Sequence, residues 1–295
     1  EAPQKIAGNA AGDQQLEGYA EDSWSAGRLL LTGGARVTSN SRWGSAITPS
    51  VGAAFELSPA LRFHSSVSRG FRGPSLKELS WTFRNDAVGY IIQGNSDLRP
   101  ESAWSFSTGL SWAPADGLLA SADVYRNSVH DLIDFAAVGT TPQGFQIYTP
   151  TNVNRARTEG VELSLRAASG PWVTTVGYDY LNARDLTTDQ PLDRRAHHTA
   201  RLRLTRLVRV LAGGAVDLSA RYISEAPITG TVTGAGGMGG TQGAFLSLDA
   251  QTSLDLVNGM HMAVGADNLL DRHPENMLGI LGRRVYVSAR VDFWP

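Results

Sequence analysis

Along most of the chain, polar and apolar residues alternate with period two, the mark of β-strands whose two faces meet unlike surroundings. Residues 104–112 put Trp104, Phe106, Thr108, Leu110 and Trp112 on one face and Ser105, Ser107, Gly109 and Ser111 on the other. Segment 246–256 sets Leu246, Leu248, Ala250, Thr252, Leu254 and Leu256 against Ser247, Asp249, Gln251, Ser253 and Asp255. The last segment sets Val285, Val287, Ala289, Val291 and Phe293 against Tyr286, Ser288, Arg290, Asp292 and Trp294. Helical spacing is nearly absent.

The pattern predicts about thirteen strands, near 15–25, 28–38, 47–57, 60–70, 102–112, 118–134, 150–167, 171–183, 194–207, 212–223, 244–256, 260–270 and 282–293. Tight links at Ser25-Ala26-Gly27, Ser58-Pro59, Pro114-Ala115-Asp116-Gly117, Ser169-Gly170 and Val257-Asn258-Gly259 alternate with longer segments at 39–46, 71–101, 135–149, 184–193, 224–243 and 271–281. One rim therefore carries short turns and the other long loops.

Alternation cannot say which face is inside, so a soluble sandwich or barrel with an apolar interior stays open. Three features favour the inverted arrangement, with lipid against the apolar face and water in the lumen. The rims are asymmetric, as in membrane barrels. The strands reach or exceed the ~9–11 residues that a tilted membrane strand needs. Trp104 and Trp112 stand eight residues apart, roughly 26 Å along a strand at ~3.3 Å per residue. At ~40° tilt that is about 20 Å of height, close to the ~25 Å apolar band between aromatic girdles. The reading puts Trp104, Leu110, Leu248, Leu254 and Val287 against lipid, with Leu254 near the midplane, and Ser107, Asp249, Ser253 and Arg290 in the lumen.

Composition fits. The 295 residues hold 32 Gly and 13 Pro but only 18% charged residues, against roughly 25% in an average soluble chain. With 26 basic and 28 acidic residues, there is no positive excess for phosphate backbones, so nucleic acid is no expected partner. Zero cysteines removes disulfides, thiolate metal sites and cysteine nucleophiles. No run approaches the ~20 apolar residues of a spanning helix. The start, Glu1-Ala2-Pro3-Gln4-Lys5, lacks a signal pattern and suggests a chain that is mature, processed or cut from something longer.

Specific wording then stands out. Ser68-Arg69-Gly70-Phe71-Arg72-Gly73-Pro74-Ser75-Leu76-Lys77-Glu78-Leu79 and Gly94-Asn95-Ser96-Asp97-Leu98-Arg99-Pro100-Glu101 resemble two landmarks of TonB-dependent outer-membrane receptors. Further matches follow in that family's order: Asp131-Leu132-Ile133, Asn154 to Gly160-Val161-Glu162-Leu163, His198-Thr199-Ala200 and Asp267-Asn268-Leu269-Leu270-Asp271. The resemblance implies an all-β, antiparallel transmembrane β-barrel of about 22 strands, of which this chain supplies about 13 in its C-terminal part. Residues 1–14 would be a partial loop and 15–295 barrel wall. The family's N-terminal plug domain, its TonB-contacting segment and about nine strands are not matched. Thirteen alternating strands would also leave the first and last parallel, unlike closed bacterial barrels. A fragment, or one piece of a split barrel, is expected, with edges near 15–25 and 282–293 paired by strands of a preceding segment or second chain. Such barrels commonly finish on an aromatic residue, whereas here Trp294-Pro295 follows Phe293. The implied function is uptake of a scarce metal complex, a ferric siderophore or cobalamin. Its partners would be the plug, the TonB energy-coupling complex through that plug, outer-membrane lipid and the metal-complex substrate. No cofactor and no catalysis are implied. The rival is a passive porin-like or adhesive surface barrel.

Candidate sites are few. Twenty-four of the 26 basic residues are Arg, the others being Lys5 and Lys77. Arg62, Arg166, Arg201, Arg203 and Arg290 fall on polar faces, where guanidinium groups suit carboxylates of a plug or an anionic substrate. In the longest loop, 71–101, Trp81, Phe83, Arg84 and Tyr90 combine aromatic faces with a cation and form the candidate substrate site; packing of these aromatics on one another is the competing role. Gly234-Ala235-Gly236-Gly237-Met238-Gly239 fits a dinucleotide pattern but is followed by a strand, not a helix, and reads as an outer loop. Neighbouring His197 and His198 point to opposite faces, and His64, His130, His261 and His273 lack ligand spacing. Asp185, Asp189 and Asp193 share a loop and read as solvated charges. No Ser/His/Asp elbow is present, though barrel hydrolases that assemble catalytic residues from separate strands keep an enzyme open.

Overall fold

The computed structural model describes residues 12–86, 89–209, 213–228, 240–256, 259–272 and 282–292, without the side chain of residue 154. In chain order the elements are β1 (Gln15–Ala26), β2 (Leu29–Asn40), β3 (Gly44–Ser58), β4 (Leu61–Arg72), α1 (Leu76–Ser80), β5 (Thr82–Asn85), β6 (Tyr90–Gln93), β7 (Glu101–Ala115), β8 (Leu118–Thr140) and β9 (Gln146–Ser169). There follow β10 (Trp172–Asp185), β11 (Gln190–Pro191), β12 (His198–Leu207), β13 (Gly213–Ile223), β14 (Ala226–Ile228), β15 (Gly240–Gln242), β16 (Phe245–Asp255), β17 (Met260–Asp267) and β18 (Arg284–Val291).

Thirteen of these form one antiparallel ladder, β1-β2-β3-β4-β7-β8-β9-β10-β12-β13-β16-β17-β18, each pairing with its predecessor. Every strand that the alternation predicts is present. The β1–β2, β7–β8 and β9–β10 turns put Gly27, Gly117 and Gly170 at positive φ, the backbone that tight hairpins require and glycine adopts without strain.

Two of the expected long loops are not loops. Segment 39–46 is a three-residue turn, because β2 runs to Asn40 and β3 begins at Gly44. Segment 135–149 is a hairpin, with β8 and β9 paired from Phe135↔Pro150 to Thr140↔Gln146. Period two weakens there because the hairpin projects beyond its neighbours and no longer divides lipid from water. The strand expected over 194–207 begins only at His198. The strand expected over 260–270 stops at Asp267, where Asn268 takes φ +50°.

Register carries each face coherently across the ladder. The row Arg203–Ser219–Asp249 is polar, and the row beside it, Leu202–Ala220–Leu248, is apolar. Leu218, Val264, Val285 and Val287 are exposed on the apolar face, and Trp24, Trp112 and Trp172 lie at its short-turn rim. Trp104, Leu110, Leu248, Leu254 and Val287 share the apolar face; Ser107, Asp249, Ser253 and Arg290 share the polar one. Leu254 is not near mid-strand, however. It is the penultimate residue of β16, beside the short turn; the strand ends within one residue of the expected bound, so position 254 lies at the rim and not at the midplane.

The buried apolar side chains among the described residues include Leu79, Leu98, Tyr148, Pro150, Ala156, Ala183, Ala226, Ile228 and Phe245. All lie toward the long-loop rim, and the wall itself has no second layer to form a dry core.

With the apolar face in a bilayer, Leu218→Arg, at the centre of β13, should cost roughly 2–4 kcal/mol. Ser219→Arg, one residue along on the polar face, should cost far less. Denaturant titration of the full-length protein folded into lipid vesicles measures both; equal costs would contradict the assignment of faces.

Candidate functional site

The long-loop rim is organised around one arginine. Arg72, the last residue of β4, donates through Nε and Nη2 to the Glu101 carboxylate (2.9 and 2.7 Å) and through Nη1 to Glu78 (3.1 Å). Glu101 also accepts the backbone N–H of Ile133 (2.7 Å). One guanidinium thus joins β4 to α1 and β7, and through Glu101 to β8. The paired fork geometry is one that lysine could not supply. Glu78 is simultaneously the third residue of a capping box with Ser75, accepting from its N–H (2.7 Å) and hydroxyl (2.8 Å).

The second landmark closes the same knot. Gly94 N–H and Asn95 N–H donate to the carbonyls of Trp81 and Glu78, both at 2.8 Å. A Cβ on Gly94 would stand 2.7 Å from the Ser80 backbone nitrogen, so the approach admits only glycine. Asn95 Nδ2 donates to Pro150 O (3.0 Å), and Leu98 is buried. Asn152 bridges the Arg99 and Asp131 carbonyls (2.9 and 2.7 Å), while Arg99 pairs with Asp131 at 2.7 Å. The residues that carry the family wording are those that tie loop 71–101 to the strand ends.

Above the knot stands the β5–β6 hairpin, whose second strand runs parallel to the projecting part of β9, with Tyr90↔Gln146 and Ile92↔Tyr148 in register. Trp81 and Phe83 stack at 5.2 Å between centroids, Phe83 meets Tyr90 at 6.1 Å, and Tyr90 meets the buried Tyr148 edge-on at 6.3 Å. Three of the four candidate substrate residues are therefore joined in one aromatic file, with Lys77 over Trp81 at 5.6 Å. Arg84, adjacent to Phe83 in the strand and so on its opposite face, is exposed, lies 4.2 Å over the Phe145 ring and pairs with Asp86 at 2.6 Å. Tyr148 and Phe145 fall in a segment that the sequence reads as a plain loop, so no pattern pointed to them.

The polar face below the rim is concave and opens into clefts of about 710 Å³, which Asp123, Glu162 and Arg195 help line, and about 690 Å³, between Arg203, Asp249 and Tyr286. The predicted lumen arginines all lie on this face. Arg62 pairs with Glu56 (3.0 Å), Arg201 with Asp179 (2.5 Å), Arg203 with Asp217 (2.9 Å) and Arg290 with Asp292 (2.8 Å). Four of the five are thus already held by carboxylates of the chain itself. Arg166 sits on the same face between Leu119 and Thr175.

His64, His197, His198 and the loop aspartates make local contacts. His64 Nε2 lies 2.6 Å from Asp123, His198 Nδ1 lies 2.8 Å from the Tyr178 hydroxyl, and His197 Nδ1 lies 2.8 Å from the Leu181 carbonyl. Asp185 caps the turn at Thr187 and Thr188, Asp189 pairs with Arg184, and Asp193 with Arg194. Among the described residues no group of three or more His, Cys, Asp or Glu side chains could hold a metal ion. Residues 234–239 and His273 lie outside the described residues.

Burial pushes the Glu78 carboxyl up, but the hydrogen bonds from Ser75 and Arg72 outweigh it and hold Glu78 below the usual carboxylate range. A carboxylate depressed in the folded state stabilises above its unfolded pKa and loses that contribution as pH falls through the folded value. Loop 74–81 should therefore stay ordered from neutral pH to about 5 and loosen below the ordinary glutamate value of ~4.3. Glu78→Gln should loosen it at neutral pH and flatten the dependence. Hydrogen exchange of 74–81 at a series of pH values reads this; identical profiles in both proteins would contradict it.

Comparison with known proteins agrees with this geometry. Residues 3–269 match the family described as TonB dependent receptor-like, beta-barrel. The iron-regulated outer membrane virulence protein of Vibrio cholerae is 30% identical over 159 residues, which is 51% of this chain and 24% of that protein. The siderophore receptor PirA of Acinetobacter baumannii superposes with a TM-score of 0.73 at 18% identity, over 98% of this chain and 48% of that one. A mutant of the ferric enterobactin receptor PfeA of Pseudomonas aeruginosa gives 0.72 at 19%, over 94% and 44%. The chain spans less than half the length of each of these relatives. An apolar outer face, a charged concave face, short turns on one rim and knotted loops on the other thus belong to a known architecture: the chain is a member of the TonB-dependent receptor β-barrel family, part of the wall of an outer-membrane barrel.

Proposed function

We propose that residues 15–295 are the C-terminal part of a receptor barrel that takes up a scarce metal complex, a ferric siderophore in the first instance, in a TonB-dependent step, with residues 1–14 part of a preceding loop. The observation that carries this reading is the charged concave face set beneath a rim where long loops converge on an aromatic file flanked by Arg84. A transporter needs a wetted, polar passage and a capture surface at its outer mouth; it needs no catalytic group. The iron-regulated and siderophore-receptor relatives support iron over cobalamin.

Completion of the barrel belongs to the same proposal. Among the described residues β1 and β18 each have one neighbour, and all twelve residues of β1 are exposed. Unpaired strand edges in hydrocarbon cost several kcal/mol per backbone group. Further strands, from a preceding segment or a second chain, cover these edges, and a plug fills the lumen against Arg166 and its paired neighbours. Residues 1–295 expressed alone with a signal peptide should aggregate or be degraded, and co-expression of the preceding part should rescue a heat-resistant barrel. A stable barrel closed by β1 and β18 would contradict the proposal.

Uptake of a labelled ferric siderophore by iron-starved cells carrying the full-length gene tests the transport reading. Uptake should vanish on deletion of the gene and on loss of the TonB energy-coupling complex. Persistence without energy coupling would instead favour a passive pore. Trp81→Ala with Arg84→Ala should weaken binding about tenfold, or ~1.4 kcal/mol, read by ligand titration of the purified protein.

A further inference from the structure

The outward face of β8, β9 and β10 carries a feature that the transport reading does not use. Going up that face of β10, the side chains are Trp172, Thr174, Val176, Tyr178, Tyr180, Asn182 and Arg184. Trp172 and Tyr180 bracket the apolar band with the eight-residue spacing of Trp112 and Trp104. Immediately above Tyr180, register aligns Arg126, Glu159 and Asn182 in one row and Ser128, Arg157 and Arg184 in the next.

The charges in these rows do not balance. Glu159 accepts from Arg126 (2.9 Å) and Asn182 (3.3 Å) and also faces Arg157 at 3.6 Å, so one carboxylate serves two guanidiniums. Arg184 stands directly across from Arg157, a like-charged pair that disfavours the ladder unless an anion lies nearby. Its guanidinium reaches the Asp189 carbonyl (2.7 Å) and the highly exposed Asp189 carboxylate (3.1 Å). Its Nε is buried and has no hydrogen-bond partner among the described residues. Directly below, a cleft of about 650 Å³ opens between Phe106, Val124, Val161 and Tyr180, with Arg126 and Glu159 at its upper edge.

A cleft with apolar walls and surplus guanidinium groups at its top suits an amphipathic anion. Its place at the upper limit of the apolar band puts the charges at headgroup height and the cleft among acyl chains. We propose that Arg126, Arg157 and Arg184 bind the phosphate of an anionic glycolipid headgroup in the outer leaflet, one acyl chain of which lies in the Phe106–Tyr180 cleft. Guanidinium groups match phosphate oxygens by paired, charge-assisted hydrogen bonds. Bound phosphate would separate Arg157 from Arg184 and could take the free Nε–H. The site is independent of the inner polar face and of any substrate at the mouth.

Native mass spectrometry of the full-length protein in detergent tests this, with bis-phosphorylated lipid A as probe and the same lipid stripped of phosphate as control. The wild type should retain the phosphorylated lipid, and the triple variant Arg126→Gln, Arg157→Gln, Arg184→Gln should retain it at least about tenfold less well. Arg28→Gln, in the turn at the opposite rim, should behave as wild type. Equal retention by the triple variant would overturn the proposal. So would equal binding of the phosphate-free lipid, or complete displacement by inorganic phosphate at matched concentration, which would mark a free-anion site. If the triple variant does not form a heat-resistant barrel, Arg157→Gln alone carries the test, with a smaller loss expected and no loss overturning it.

Discussion

Everything in this structure depends on backbone hydrogen bonding within a single layer of strands. In hydrocarbon no water can satisfy a free N–H or C=O, so each wall strand must be paired on both sides. Here that pairing runs unbroken from β1 to β18 in simple up-and-down order. Because the layer is one residue thick, each side chain faces either lipid or lumen, and the sequence alternates accordingly. The wall needs no dry core, and its exposed leucines and valines would be a liability only in water.

A different physics governs the outer rim. There the chain leaves the bilayer and must hold its shape as soluble proteins do, by burial and specific hydrogen bonds. The buried apolar side chains gather at this end, with Leu79, Leu98 and Tyr148 beneath the hairpin. Arg72, Glu78 and Glu101 fix the connections. Asn268 plays a comparable role at the end of β17: in the left-handed region, it accepts the Arg272 N–H and donates to the Arg272 carbonyl. Asn and Asp tolerate that backbone better than other non-glycine residues. The most recognisable words of the sequence therefore build turns and ties, and the aromatic file proposed above as a capture surface is carried by residues between them.

The polar face shows how a wide lumen is kept charged without being unstable. Arginine and carboxylate alternate across neighbouring strands, as in Arg201–Asp179 and Arg203–Asp217. Exposed pairs of this kind contribute little to stability individually, but they keep a wetted face that no apolar collapse can close. The cluster of Arg126, Arg157 and Arg184 departs from that balance on the other side of the wall, where the neighbour is lipid.

The sequence alone determined the strands, which residues share a face and, apart from 39–46 and 135–149, which links are short and which long. Alternation is a local property, enforced at every residue by the boundary between hydrocarbon and water, and it can be read without knowing any distant contact. Trp104, Leu248 and Arg203 were placed this way. Only the tertiary structure could show that 135–149 is a projecting hairpin, that Arg72 reaches Glu101 across 29 residues, or that Phe83 and Arg84 face apart toward Tyr90 and Phe145. Those features depend on which side chains meet after separate segments converge outside the bilayer, where no two-fold environment imposes a period. A charge on a strand can be assigned to a face from its position, but its partner is decided by register across neighbouring strands.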